Sequence, residues 1–70
     1  MMPLSMVNIG ETKKIVKING KDDTRRFLEN LGLVEGVPVT VVSAISGNMI
    51  VNVKDTRIAI DRSMATRIMV

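Results

Sequence analysis

The stretch Glu29 to Gly36, ENLGLVEG, carries glycines at 32 and 36 and separates two runs of different period. Before it, in DDTRRFLENL, Phe27 and Leu31 stand four residues apart with Leu28 beside them. On a helix these three share a stripe, and Arg25, Arg26, Glu29 and Asn30 fall mostly outside it. After it, Val37, Val39 and Val41 alternate, which is the period of a strand. Gly32 fits the left-handed position that ends a helix, and Leu33 then folds back as the apolar closure. Gly36 turns the chain into the strand. The stretch therefore reads as a helix cap, a loop and a strand start.

Working outward toward the N-terminus, Lys14 to Ile18, KIVKI, is a β-branched run ended by Asn19-Gly20. It predicts a first strand and a turn. Asp22, Asp23 and Thr24 suit a helix start: the acids face the positive end of the dipole, and Asp or Thr accepts backbone N–H bonds. Pro3 to Val7 reads as a single helical turn. Toward the C-terminus, Pro38 belongs at a strand start or an edge, because it cannot donate to a ladder. A turn at Ser46-Gly47-Asn48 precedes the alternating Met49, Val51 and Val53, and a tight turn at Asp55-Thr56 precedes Ile58 and Ile60. Asp61 to Ala65 reads as a short helical turn, and Ile68 and Val70 as a last strand. The predicted fold is mostly β: one domain over residues 1–70, a small β-barrel with one helix inserted between its first two strands.

Seventy residues bury only about 60% of the surface that the unfolded chain exposes, so stability is expected to be thin. With no cysteine and no histidine, a disulfide and the commonest metal ligands are excluded. Apolar residues make up 46%, a globular composition. The net charge of +3 permits an anionic partner without demanding one. No stretch approaches the roughly 20 apolar residues of a membrane span. Met1 to Glu11 lacks the basic start and apolar run of a signal peptide, so the expected compartment is the cytoplasm, without direct membrane insertion.

Catalytic equipment is sparse. Ser5, Ser43, Ser46 and Ser63 have no ordinary base in a chain without histidine. The carboxylates lie beside turns or on polar faces, and Asp22-Asp23 falls far short of a calcium loop. There is no phosphate-binding Gly-rich loop. The six methionines are dispersed and read as packing residues. No enzyme activity, cofactor or metal is therefore expected. Lys13, Lys14, Lys17, Lys21, Arg25 and Arg26 are interleaved with Glu11, Asp22, Asp23, Glu29 and Glu35. Barrels that hold single strands stack bases on aromatics, and Phe27 is the only aromatic here. Specific nucleic-acid binding is accordingly the alternative reading, not the leading one.

The leading reading is an adapter that acts by contact. Val41 and Val42 are adjacent and opposed, as are Ile50 and Val51, so one of each pair needs cover from the helix, a partner or a second copy. The expected contact surface is Arg25, Arg26, Phe27, Asn30, Leu31 and Leu33, with Phe27 as anchor. The competing reading is that Phe27, Leu31 and Leu33 seal the barrel mouth. Gly32, Gly36 and Gly47 are expected to serve only the turns.

The run RRFLENLGLVEGVPVTVV, Arg25 to Val42, resembles the FeoA family: an Arg, a Leu-rich helix, Leu-Gly-Leu, two residues, Gly, then a valine-rich strand. The likeness extends from about Leu4 to Val70, through the Gly47 turn, MIVNV, RIAI and the closing IMV. Family members often carry prolines around that turn, where this chain has Ile45 and Met49. The resemblance implies an SH3-like β-barrel with a helical insertion. It implies an accessory role toward FeoB, the bacterial membrane transporter of ferrous iron with a cytoplasmic G-protein domain, either in nucleotide hydrolysis or in transporter assembly. A related barrel forms the C-terminal domain of DtxR-type iron-dependent repressors, which adds a regulatory-domain alternative.

Overall fold

Strand β1 is Thr12–Lys14, β2 Lys17–Ile18, β3 Pro38–Ile45, β4 Asn48–Val53, β5 Thr56–Asp61 and β6 Ile68–Met69 in a computed structural model that describes residues 1–70. Helix α1, Asp22–Asn30, separates β2 from β3, and the short helix α2, Arg62–Arg67, separates β5 from β6. A 3-10 turn at Leu4–Met6 opens the chain. The strands form a four-stranded sheet, β1-β3-β4-β5, and a two-stranded sheet, β2-β6, all paired antiparallel. The two sheets do not close into one ring. No helix is long and apolar enough to cross a membrane.

The predicted first strand, Lys14 to Ile18, is two strands in two sheets. Ile15 donates its N–H to the Val37 carbonyl at 3.0 Å and accepts from Gly36 at 2.8 Å. Val16, the next residue, donates to the Met69 carbonyl at 2.8 Å. Successive residues thus bond to opposite edges, and the strand passes from one sheet to the other. The helix consequently follows the second strand rather than the first.

Two tight hairpins build the centre of the larger sheet. Their two-residue turns, Ser46-Gly47 and Lys54-Asp55, have positive φ throughout: 45° and 83°, then 50° and 61°. Such turns match the twist of the flanking strands. The second lies one residue earlier than the predicted Asp55-Thr56. In β4, Met49, Val51 and Val53 are buried, with Ile50 and Asn52 half-buried between them, as the alternation predicts. In β3 the alternation fails after Val41. The register slips between Val41 and Ser43, so Ala44 opposes Met49 and Ile45 opposes exposed Asn48. This bulge turns Ile45 outward, whereas unbroken alternation would group it with Val39 and Val41.

All fifteen buried residues are apolar. Leu4, Ile15, Leu28, Leu33, Val39, Val41, Val51 and Ile68 form the innermost part of this core. Helix α1 ends as predicted. The Gly32 N–H bonds to the Glu29 carbonyl at 2.9 Å and the Leu33 N–H to the Leu28 carbonyl at 3.0 Å. This double bond pattern needs a residue of positive φ, and Gly32 supplies it at 95°. The helix start differs from expectation: Lys21 is the cap residue and no side chain caps it. Asp22 and Asp23 lie in the first turn, where they act on the dipole alone.

The two ends of α1 fix its course. A Cβ placed on Gly20 would lie 3.3 Å from the Arg67 guanidinium, and one on Gly32 would lie 3.9 Å from Lys54 and Val53. The helix therefore runs from near the end of α2 to near the β4–β5 turn.

Candidate functional site

Helix α1 has one fully buried side chain, Leu28. Each residue advances the helix by about 100°. With Leu28 aimed at the core, Leu31 falls at the rim and Phe27 on the flank. Leu31 is half-buried and packs against the core, while Phe27 stays 49% exposed. The predicted three-residue stripe is thus divided by depth. Arg25, Arg26 and Asn30 are exposed on the same helix.

Leu33 lies elsewhere. Its side chain is fully buried in the core cluster, so it offers no surface and leaves the expected contact set. The cause is the helix cap itself: the bond from the Leu33 N–H to the Leu28 carbonyl folds the chain back under the helix. Gly36 and Gly47 both sit at positive φ, 88° and 83°, in turns with open space around them.

Beside α1 lies a cleft of about 320 Å³ lined by Ile18, Arg25, Glu29, Val34 and Glu35. Its lining is mostly polar and carries both signs of charge, from Arg25, Glu29 and Glu35. Arg25 and Glu29 place this cleft on one flank of α1, and Phe27 lies on the other. A smaller cleft of about 170 Å³ lies between the opening 3-10 turn, the β3–β4 hairpin and α2, lined by Ser5, Ile45, Met49 and Arg62 among others. Ile45 is 62% exposed there. Met6, Ile9 and Val16 are also exposed apolar residues that sequence reasoning did not single out. For Ile45, the bulge that exposes it has no local signature.

No three histidine, cysteine or acidic side chains gather where they could hold a metal ion. The interior contains no polar or charged residue. The arrangement can bury apolar surface against another macromolecule and flank it with charges.

A family model, the FeoA domain, matches residues 2–70. A solved structure of an iron uptake regulatory protein (FeoA) is 31% identical, with 96% of this chain and 89% of that one aligned at a TM-score of 0.88. FeoA from Chlorobium tepidum is 26% identical, over 97% of this chain and 67% of that one, at a TM-score of 0.89. T. acidophilum IdeR is 25% identical over 96% of this chain but only 32% of its own length, at a TM-score of 0.85. A manganese-dependent transcriptional repressor, 16% identical over 94% of this chain and 38% of its own, shares the fold at a TM-score of 0.87. No curated protein gives a match. The architecture is accordingly an SH3-like barrel with its sheets left open. Because the family model spans all but the first residue, the chain belongs to the FeoA domain family, which is associated with ferrous iron transport.

Proposed function

We propose that this protein is a cytoplasmic accessory of ferrous iron transport that docks on the G-protein domain of a FeoB-like membrane transporter and regulates it, without chemistry of its own. The observation that carries the reading is the FeoA match across residues 2–70. The exposed face of α1 supports a contact role. Phe27 supplies an aromatic anchor with Leu31 beside it at the rim, Arg26 and Asn30 add polar groups on the exposed face, and Arg25 extends the surface on the opposite flank, at the cleft. An aromatic anchor at the centre with polar groups at the rim is the composition of an interface.

Titration calorimetry of the purified chain against the cytoplasmic domain of the co-encoded transporter tests this. Wild type should bind, and Phe27→Gln should bind at least about tenfold more weakly, the loss typical of a removed anchor. Equal affinity would remove the α1 face as the contact, and no binding by either would remove the docking itself. Docking through Phe27 should change little with salt, whereas binding through phosphates would weaken steeply. GTP turnover by the isolated chain would overturn the non-enzymatic reading.

The likeness to IdeR supports a second reading, a regulatory domain like the C-terminal domain of DtxR-type iron-dependent repressors. That reading shares the contact mechanism and differs in the partner.

A further inference from the structure

Strand β1 ends the four-stranded sheet, and Thr12, Lys13 and Lys14 are all exposed. Along this strand the residues that face β3 alternate. The Glu11 carbonyl accepts from Val41, and Ile15 bonds to Val37 and Gly36. Thr12 and Lys14 therefore turn their N–H and C=O groups the other way, and neither enters any backbone hydrogen bond outside the ladders. Val16, next in the same alternation, shows which way that is: its N–H goes to Met69 of β6. Val70, which follows β6, exchanges backbone bonds with Met2 at 2.8 Å, and β1 has no strand on the side of Thr12 and Lys14.

The open edge is basic. Lys13, Lys14 and Lys17 lie along it within five residues, all exposed, and Val16 adds an apolar side chain that is 52% exposed. The acid at its start, Glu11, accepts the Asn8 N–H at 3.3 Å. We propose that this edge binds an extended acidic segment of another polypeptide, added as a fifth strand antiparallel to β1. The direction follows from β6, which runs antiparallel to β2 on the same side of the same chain run. A polypeptide supplies both donors and acceptors to the free N–H and C=O groups, and alternate side chains supply the specificity. Side chains alternate along the edge, so the acidic residues of such a strand fall on the face of Lys13 and Lys17, and its apolar residues on the face of Lys14 and Val16, against the lysine stem and the valine. A second copy of β1 would set lysines against lysines, which disfavours self-pairing. A nucleic-acid backbone offers phosphate acceptors but no donors for the free carbonyls.

The test uses the whole chain and no transporter, so its outcome is separate from docking through α1. The probe is a short blocked peptide of alternating Glu and Val, titrated while amide shifts are followed by NMR. Saturable binding with the largest shifts at Thr12 and Lys14 is expected. Lys14→Pro should weaken it at least about tenfold while leaving the ladder to β3 intact, because its N–H faces away from the ladder. Lys14→Glu should weaken it similarly and serves if the proline variant does not fold. A backbone N-methylated peptide of the same charge should bind at least about tenfold more weakly, since it lacks the donors. Shifts centred on α1, equal binding by the N-methylated peptide, tighter binding of single-stranded DNA, or no saturable binding would each overturn the proposal.

Discussion

Leu28 and Phe27 are neighbours in sequence and opposites in environment. Leu28 is fully buried and is the one such contact α1 makes, while Phe27 is half-exposed. Leu28→Ala should therefore cost about 2–5 kcal/mol through lost burial and a residual cavity. In so small a domain this is much of the total stability. Phe27→Gln should unfold at nearly the wild-type urea midpoint. Urea denaturation of both variants checks the pair, and a large shift for Phe27→Gln would mean that its ring seals the core. The sequence placed both residues on one stripe because 3.6-residue periodicity gives angles and not depth. Gly32 and Leu33 were more legible. Their roles come from the helix cap, which is a local pattern of a few residues, and the same cap buries Leu33 and leaves it no contact surface.

The elements show where local patterns stop being sufficient. Strands β4 and β5 follow their alternation, because each is bounded by a two-residue turn that fixes its register. Strands β1, β2 and β3 were read less well. The split at Ile15-Val16 and the bulge after Val41 both depend on which distant strand offers a partner, and nothing adjacent encodes that. The Lys54-Asp55 turn makes a separate prediction. Both residues hold positive φ without being glycine, a conformation that costs an L-residue roughly 1–2 kcal/mol. Asp55→Gly relieves one of the two, offset in part by the greater freedom of glycine in the unfolded chain. A net gain of about 0.5–1 kcal/mol is expected, or a few degrees in Tm for a domain of this size. Thermal unfolding followed by circular dichroism measures it. An unchanged or lowered Tm would show that the Asp55 side chain compensates for the backbone.

At the scale of the whole molecule, stability is unevenly distributed. The central strands carry Val39, Val41, Met49, Val51 and Val53 into the core, whereas α1 contributes Leu28 and the half-buried Leu31. A surface built on a lightly held element is one that a partner can order, since binding adds contacts the isolated chain lacks. A contact role is legible from composition only as an expectation, through missing catalytic groups and surplus apolar side chains. Which face serves that role is not legible there, because exposure is a property of the assembled fold. Native-state hydrogen exchange distinguishes the regions. Amides of Arg26 to Asn30 should exchange through a local opening of lower free energy than the global one, while those of Met49 to Val53 should exchange only by global unfolding. Addition of the transporter's cytoplasmic domain should slow the helix amides and leave the β4 amides unchanged. If the helix amides are already as slow as those of β4 in the free chain, α1 is as firmly held as the sheet, and partner-induced ordering contributes nothing to binding.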